Sequence, residues 1–528
     1  MIRKYRYLLT AAAAVGAAGL LTFAARNDFG LGRNMEIAVN MMRELSLNYV
    51  DPVDPDRLME GAAAGMVSDL DPYTEYIPEE GMQDFELLTT GKYGGIGALI
   101  RQKDDYVRIA QPYQGSPADK AGLKIGDKIL SIDGKDAKGF TTEQVSSRLK
   151  GEPGSKVKVT VEHLDGSTET VTLQRERISI PGVPYTGWVA DGIGYIKLGQ
   201  FARTTFDEMQ ASLDTLRAQG ATKLIFDLRG NSGGYLDQAI MVANEFLHKD
   251  QLIVYTEDRQ HKQLREYADG TGAAQDMDVV VLIDEGSASS SEILAGALQD
   301  NDRGTIVGRR SFGKGLVQRQ IPYSDGSALR LTTARYYTPT GRSIQKPYTI
   351  GDDESYEEDI WNRYKNNEFF SADSIHFADS LKRVTPGGKV VYGGGGIMPD
   401  VFVPADTTDV TKYFVEVAGR NILYRYTIEY ADRHREALNR VRTIPELQAL
   451  LDSDKGLVED FIRYAARKGV APDYRDIARS RKLIEAQLRA YIGRNTALED
   501  NGFYANIYPV DNVVVRAIGI LNDTQKND

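Results

Sequence analysis

The pattern of apolar residues changes from strand-like to helix-like at one point in the second half of the chain. Residues 279–283 form a continuous apolar run of strand length, and Gly286 and Ser287 end it. Apolar residues then recur at helical spacing from Ile293 to Leu298. The pattern predicts a buried strand, a serine-rich turn and a helix. A serine on this turn would lie at a helix N-terminus, where unpaired N–H groups and the helix dipole stabilise an oxyanion.

A second segment, from Phe312 to Gln318, carries a lysine between two glycines. If a strand ran through it, Lys314 and Gln318 would share one face, and the amide would hold the amine in place. An ordinary lysine has a pKa of about 10.4, so a neutral lysine base needs desolvation, which lowers the pKa to roughly 7–8. The apolar neighbours Phe312, Leu316 and Val317 would provide it. A serine with a lysine base is a known variant of the serine nucleophile.

Residues 286–300, GSASSSEILAGALQD, and residues 311–318, SFGKGLVQ, together resemble the signature of the C-terminal processing peptidases. These are also called tail-specific proteases, and they are PDZ-containing serine proteases with a Ser–Lys centre. The residues alone leave the nucleophile open among four serines: Ser287, Ser289, Ser290 and Ser291. The resemblance implies Ser289 as the nucleophile, Lys314 as the general base and Gln318 as the supporting amide.

This chain departs from the family pattern at two positions. Ser290 stands where many relatives carry alanine, and Ser311 stands where threonine is common. Because an oxyanion hole would use the backbone N–H that follows the nucleophile, the side chain at Ser290 should matter little. The change at Ser311 is conservative.

A glycine-rich loop, Arg229 to Gly234, follows a predicted strand and precedes a predicted helix from Tyr235 to Leu247. DLRGNSGG resembles the family loop that supplies the second oxyanion donor, so Gly233 or Gly234 would present an N–H beside that of Ser290. Both glycines stay open. The alternative of a phosphate-binding loop lacks the P-loop lysine and hydroxyl residue.

Residues 89–178 resemble a PDZ domain, with Ser116 to Lys135 matching its helix, turn and strand. The exposed N–H groups of a glycine loop would capture a terminal carboxylate, and the next strand edge would pair with an extended peptide. We therefore expect protein or peptide substrates bound through their C-termini. The predicted binding residues are Gly94, Gly95, Ile96 and Gly97 in the loop, and Val145 and Leu149 on a second helix, Thr142 to Leu149.

The N-terminus has the pattern of an export signal. Arg3, Lys4 and Arg6 precede an apolar stretch over 7–25 that ends in small residues. At about nineteen residues this stretch is nearly long enough to span a bilayer. Residues 1–28 are therefore predicted to be a cleaved signal peptide or a retained membrane anchor. Either would export the chain to a bacterial periplasm or cell envelope.

Composition narrows the chemistry further. The chain has 528 residues, a net charge of −11 and no cysteine. The length allows several domains, the negative charge without a basic stripe argues against nucleic acid, and the lack of cysteine excludes a thiol nucleophile. The five histidines are scattered without metal-ligand spacing, so we expect neither a histidine-based triad nor a metal or organic cofactor.

The fold class expected from these patterns, partly through the resemblance, is multidomain α+β. It comprises an N-terminal helical segment (34–88), the PDZ domain (89–178), a mixed α/β peptidase domain (183–405) and a helical C-terminal extension (410–528). The peptidase domain would have the family's crotonase-like β-β-α core, with an insertion at about 350–385. The expected function is an exported serine endopeptidase that cleaves proteins at or near their C-termini. The alternative is a catalytically inactive PDZ-bearing scaffold, and assembly into a homo-oligomer stays open.

Overall fold

The computed structural model describes residues 30–82, 92–103, 105–113, 115–124, 126–163 and 166–523. The chain is a multidomain α+β protein with an N-terminal helical region, a PDZ domain, a peptidase domain and a helical C-terminal region, which confirms the expected fold class. The predicted signal or anchor at 1–28 lies outside the described residues. Within those residues, no helix has both the length and the apolar character needed to cross a bilayer.

The N-terminal region consists of two helices and a short strand that joins the peptidase domain. Pro52 lies between the helices and Pro55 is the first residue of the second, so the two prolines interrupt the helical pattern as the sequence predicts, and Asp54 caps the second helix. Strand β1 pairs with a long strand of the peptidase domain, which places Tyr73 and its neighbours against that domain. The elements are helix 30–48, helix Pro55–Val67, β1 (Glu75–Ile77) and a 3-10 turn, Glu79–Gly81.

The PDZ domain is built on a sheet of order β3-β4-β5-β7-β8, in which β3 is an edge strand. Alternate residues of its strands point inward to one apolar core. Its strands are β2 (Lys92–Gly95), β3 (Ala98–Lys103), β4 (Tyr106–Pro112), β5 (Lys128–Ile132), β6 (Lys135–Asp136), β7 (Lys156–Glu162), β8 (Thr168–Gln174) and β9 (Glu176–Ser179), and its helices are Pro117–Lys120 and Thr142–Leu149.

Among the described residues, the peptidase domain has two large sheets and the two-stranded sheet β19-β20. The larger has the order β10-β11-β12-β15-β16-β21, and all neighbours except β10 and β11 are parallel. The second has the order β1-β18-β13-β14, with β17 also paired to β18. Since the parallel strands β12 and β15 end at the same edge, the loops that follow them meet there.

The elements of the peptidase domain include a helix and two 3-10 turns within the predicted insertion. The strands are β10 (Tyr185–Ala190), β11 (Ile193–Lys197), β12 (Lys223–Asp227), β13 (Leu252–Asp258), β14 (Gln263–Tyr267), β15 (Asp278–Ile283), β16 (Thr305–Gly308), β17 (Leu316–Pro322), β18 (Ala328–Tyr337), β19 (Lys382–Val384), β20 (Val390–Tyr392) and β21 (Val401–Phe402). The helices are Thr205–Ala218, Leu236–Asn244, Ser290–Asp300 and Asp353–Lys365, with 3-10 turns Ala372–Ser374 and Asp379–Leu381.

The C-terminal region is helical, as predicted, but it is not a separate appendage. Most of its helices share their own apolar core. Its last helix, Asn512–Asp523, which we call the closing helix, packs instead against the large peptidase sheet, where Val514 and Ala517 are fully buried. The helices are Lys412–Gly419, Ile422–Arg433, Arg435–Leu438, Ile444–Ser453, Leu457–Arg467, Tyr474–Arg494, Asp500–Ile507 and Asn512–Asp523, with a 3-10 turn Tyr508–Val510.

Candidate active site

The serine-rich turn joins β15 to the helix Ser290–Asp300, which we call the elbow helix. Every residue of the elbow helix is buried, and Ser289 is its N-cap residue. Ser289 has φ 55° and ψ −116°, a left-handed conformation that costs a residue with a side chain about 1–3 kcal/mol. Strain of this kind at a strand-to-helix corner is typical of a nucleophile elbow.

The four serines of this turn differ in what their hydroxyls do. Ser287, Ser290 and Ser291 are buried, and each donates to a backbone carbonyl in or directly before the glycine-rich loop: Ser287 to Leu228 at 2.9 Å, Ser290 to Gly234 at 2.8 Å and Ser291 to Asn231 at 2.9 Å. Ser289 is partly exposed, and its side-chain oxygen faces the Glu292 backbone N–H in a capping box, but among the described residues its hydroxyl donates no hydrogen bond. Ser289 alone therefore presents a free hydroxyl at the corner.

The glycine-rich loop lies directly against Ser289. A Cβ on Gly233, whose φ is 105°, would come within 2.7 Å of the Ser289 Cβ, so a larger residue would displace the turn. The Gly233 N–H donates to Asn231 Oδ1 at 2.9 Å. No acceptor for the Gly234 N–H is found in the described part of the chain, so this N–H and that of Ser290 are the free donors beside the hydroxyl.

A buried ion-pair network fixes the start of this loop. The Asp227 carboxylate contacts the Arg229 guanidinium at 2.7 Å, Lys197 Nζ at 3.2 Å and the Tyr195 hydroxyl at 2.5 Å. Although burial alone raises it, the pKa of Asp227 is held below its usual range by the two cations. Arg229 also pairs with Asp511, just before the closing helix, at 2.9 Å.

The lysine segment differs from the expected strand. Strand β17 begins only at Leu316, and its pairing with β18 is irregular between Val317 and Gln318, so Lys314 and Gln318 do not share a regular strand face. The reason lies in the two glycines that flank Lys314, since Gly313 has φ 95°, outside the strand region. The Gln318 amide donates to Thr332 Oγ1 at 3.2 Å, and Thr332 in turn donates to Asp71.

The Lys314 ammonium lies over an aromatic ring from the N-terminal region. Its Nζ is 4.2 Å from the centroid of Tyr73, and no hydrogen bond joins it to the Ser289 hydroxyl among the described contacts. Desolvation by burial, with a further contribution from the charge of Arg330, lowers the pKa of Lys314 to about 8. The nearby carboxylates of Glu292, Glu75 and Asp71 oppose this shift. The lowered pKa increases the neutral fraction of the amine near physiological pH.

One buried carboxylate joins the serine corner to the lysine loop. The Glu292 carboxylate accepts the backbone N–H groups of Ser289 at 2.9 Å, Gly313 at 2.7 Å and Lys314 at 2.8 Å, and the Ser311 hydroxyl at 2.5 Å. Burial raises the pKa of Glu292 to about 7, although these four donors favour the charged form. This carboxylate holds the two segments in register.

Tyr336 makes a second connection between these segments. Its buried hydroxyl hydrogen-bonds the carbonyl oxygen of Ser289 at 3.2 Å and also contacts that of Lys314. Sequence reasoning missed Glu292, Tyr336 and Tyr73. For Glu292 a signal existed, because Ser289-x-x-Glu292 has the spacing of a capping box.

The residues predicted for the PDZ groove are not all where the sequence suggested. Gly94 and Gly95 belong to β2 and pair with β9, so the loop itself is only Ile96 and Gly97. A Cβ on Gly97, with φ 72°, would lie 2.4 Å from that of Ser116. The predicted helix Thr142–Leu149 is present, but its candidate pocket residues Val145 and Leu149 belong to the domain core and are 0% and 4% exposed.

Comparison with known families agrees with this architecture. The model of "Peptidase family S41" matches residues 192–355, and that of a PDZ domain matches residues 108–163. The model "Activating protease CtpB N-terminal domain" matches residues 31–81, and a family of unknown function matches residues 413–497. Fold and matches together define the class: a serine-type peptidase with a PDZ domain.

The relatives identify the family. A carboxy-terminal-processing protease of Bartonella bacilliformis is 35% identical over 375 residues, which cover 70% of this chain and 84% of the relative. A probable CtpA-like serine protease of Staphylococcus aureus is 34% identical over 331 residues, 61% of this chain and 66% of the relative. The chain belongs to peptidase family S41, among the C-terminal processing proteases.

Among solved structures, a photosystem II D1 C-terminal processing protease is 29% identical, and the match covers 70% of this chain and 87% of that one. Its TM-score is 0.39.

Proposed function

We propose that this protein is an exported endopeptidase in which Ser289 is the nucleophile and Lys314 the general base. The observation that carries the proposal is a difference in hydrogen bonding among the four serines. Three of the hydroxyls donate to backbone carbonyls, and only that of Ser289 is free to react. The pKa of about 8 for Lys314 supports its role as a base that is partly neutral at working pH.

The proposed reaction begins when the neutral Lys314 amine rotates from the Tyr73 ring toward the Ser289 hydroxyl and takes its proton. The Ser289 oxygen attacks the carbonyl carbon of the scissile peptide, and the N–H groups of Ser290 and Gly234, with Gly233 as the alternative donor, bind the oxyanion. The Lys314 ammonium then returns its proton to the leaving amine. Water hydrolyses the acyl-enzyme by the same route in reverse.

The support expected from Gln318 takes an indirect form in this proposal. Its amide binds Thr332, which binds Asp71, so Gln318 would position the segment that carries Tyr73 rather than the amine itself. Replacing Gln318 with alanine should then change the position of the ammonium and lower kcat, while leaving some activity.

Two substitutions test the chemistry. Ser289→Ala and Lys314→Ala should each abolish cleavage of a peptide with a free apolar C-terminus, measured by mass spectrometry on purified protein. The exposed Ser453→Ala variant is the control for handling and folding, and it should cleave at the wild-type rate. Cleavage retained by either site variant would refute the assignment, and peptide binding without turnover by the wild type would favour the inactive-scaffold alternative.

We also propose that the PDZ domain captures the free C-terminus of the substrate. Strand β3 is an unpaired edge beside the helix Thr142–Leu149, which is the arrangement that accepts an added peptide strand. The turn at Ile96 and Gly97 would bind the carboxylate, with Gly94 and Gly95 holding its base. Amidating the peptide C-terminus should raise KM strongly, and Gly97→Val should remove this preference for the free carboxylate. Equal cleavage of both peptides by the wild type would contradict the proposal.

Export is the remaining part of the proposal, and it rests on the sequence of residues 1–28. The domain limits 34–88, 89–178, 183–405 and 410–528 belong to the same proposal. Fusing residues 1–30 to a reporter enzyme that is active only outside the cytoplasm should give active reporter. Replacing Arg3, Lys4 and Arg6 with glutamate should lower that activity, and an inactive parent fusion would overturn the export proposal.

A further inference from the structure

A cavity of about 380 Å³ lies between the PDZ sheet and the C-terminal helices. One wall is the outer face of β3 and β4, on the side of the sheet away from the PDZ core. The other wall comes from the start of helix Ile422–Arg433 and from residues near the ends of neighbouring helices. Its lining includes five cationic side chains and no aspartate or glutamate: Arg101, Arg108, Arg420, Arg425 and Lys468. We call it the basic cavity.

Most of these cations have little or no negative charge beside them. Arg108 donates to the Gly126 carbonyl at 3.0 Å, and its buried Nε has no partner. Within the described part of the chain, the side chains of Arg101 and Arg425 have neither a hydrogen bond nor an ion pair. Arg420 is the exception, because it pairs with Glu416 at 3.1 Å and donates to the Lys468 carbonyl at 2.9 Å.

This distribution of charge would attract an anion. Like charges gathered at a partly enclosed surface repel, although water screens the exposed Arg101 and Lys468, and the buried Nε of Arg108 has lost its hydrogen bonds to water without replacing them. Arginine side chains present forked donors that match phosphate oxygens, and ligand sites typically enclose about 300–1,000 Å³. Glu416 neutralises one of the five cations, so four remain. A ligand with a single carboxylate would balance only one of these four positive charges, whereas a diphosphate carries several negative charges.

We propose that the basic cavity binds a ligand with two or more phosphate groups, which bridges the PDZ domain and the C-terminal helices. The same chemistry is present in soluble di- and oligophosphates and in phosphorylated lipid headgroups. A ligand held by Arg101 and Arg108 on one wall and by Arg425 on the other would fix the orientation of the PDZ domain. The proposal does not depend on the identity of the catalytic residues.

The test is calorimetric titration of the full chain with sodium pyrophosphate at low and moderate salt. The double variant Arg101→Gln, Arg425→Gln removes one charge from each wall. The matched control Arg435→Gln, Arg440→Gln removes two exposed arginines from surface ion pairs of the same C-terminal region. We expect the wild type and the control to bind, more weakly as salt rises, and the cavity variant to bind at least ten-fold more weakly.

Thermal unfolding separates loss of binding from loss of folding. Without ligand, the three proteins should melt at similar temperatures, and pyrophosphate should raise the melting temperature of the wild type and the control only. Failure of the wild type to bind, or equal binding by all three proteins, would overturn the proposal.

Flotation with vesicles of cardiolipin, whose headgroup carries two phosphates, and with vesicles of phosphatidylcholine distinguishes the two sources of phosphate. Binding to the anionic vesicles that requires Arg101 and Arg425, and that pyrophosphate displaces, identifies a lipid headgroup. Pyrophosphate binding without such vesicle binding identifies a soluble ligand. Vesicle binding that is equal in the cavity variant and the control, with no pyrophosphate binding, counts against the site.

Discussion

Two buried carboxylates lie on either side of the serine corner, and their surroundings differ in kind. Asp227, at the end of β12, is surrounded by the cations Arg229 and Lys197, and its pKa is held below the usual range. Glu292, on the elbow helix, is surrounded by three backbone N–H groups and one hydroxyl, and its pKa is raised to about 7. Neutral donors offset desolvation only partly, whereas two cations reverse it.

The two carboxylates therefore respond to pH in opposite directions. For Asp227 the pKa falls on folding, so its stabilising contribution is present above the unfolded pKa, and it is lost in acid as pH falls through the folded value. For Glu292 the pKa rises from 4.5 to about 7, so the folded protein holds a proton that the unfolded chain releases. Its contribution is present below about pH 4.5 and is lost as pH rises toward 7. The first carboxylate anchors a loop at neutral pH, and the net contribution of the second to stability falls as pH rises toward 7 because its charged form is buried.

The largest effect is expected from removing the Asp227 carboxylate, which anchors the glycine-rich loop. Asp227→Asn leaves Arg229 and Lys197 without their buried partner, which typically costs about 3–5 kcal/mol. We expect a clear fall in the urea midpoint of the peptidase domain at pH 7. Asp452→Asn, which breaks an exposed pair with Arg489, is the control and should cost under ~1 kcal/mol. Equal effects of the two variants would show that the buried network does not anchor the loop.

The next largest effect is expected from changing Glu292, which joins the serine corner to the lysine loop. Glu292→Gln keeps the shape of the side chain but cannot titrate, and it should cost roughly 1–3 kcal/mol through weaker hydrogen bonds at Ser311 and the backbone. The informative measurement is the free energy of unfolding between pH 4.5 and 7. Over that range the advantage of the wild type over the variant should shrink as pH rises. A difference that stays constant with pH would mean that Glu292 does not gain a proton in the folded protein.

A third effect concerns the base that Glu292 helps to position. If neutral Lys314 is required, kcat/KM should rise with pH through an apparent pKa near 8. The positive charge of Arg330 contributes to the lowered pKa, so Arg330→Gln should move this limb to higher pH. The exposed Arg319→Gln on the neighbouring strand β17 removes the same charge and should leave the profile in place. A limb that shifts to lower pH, or does not shift, would contradict the role of Arg330.

The smallest effect is expected at Ser290. Ser290→Ala removes one hydrogen bond to the Gly234 carbonyl. The position of the glycine-rich loop should then be stabilised by about 1 kcal/mol less. We expect kcat to fall roughly five-fold with KM unchanged, measured on the free-carboxylate peptide, since the loop would act on the oxyanion rather than on substrate binding. An increase in KM with unchanged kcat would place Ser290 in substrate binding instead.

The strand, turn and helix around Ser289 could be predicted from the chain because their signals are local. An apolar run, a glycine and helical spacing follow one another within residues 279–298, and the structure has β15 and the elbow helix there. The strand expected through Lys314 was wrong. An apolar stretch favours a strand, but the positive φ of Gly313 and the pairing irregularity before Gln318 prevent one.

The partners of the site could not be predicted in the same way. Tyr73 lies 241 residues before Lys314 in the chain and reaches it only because β1 adds to the edge of a peptidase sheet. The four donors to Glu292 come from two loops whose approach depends on the tertiary fold. The capping-box spacing indicates a carboxylate near Ser289, but not that it also holds the lysine loop.

The segment at the start of the closing helix makes the support of the glycine-rich loop depend on residues that are synthesised late. Arg229 takes its outer partner from Asp511, so the ion-pair network at the start of the glycine-rich loop is completed by a residue that leaves the ribosome after the segments that carry Ser289 and Lys314. At the other end of β12, Lys223 donates to the Leu521 carbonyl at 2.5 Å. A nascent chain that already contains Ser289 and Lys314 lacks this support. The ion-pair network at the start of the loop therefore stays incomplete until translation has passed residue 511.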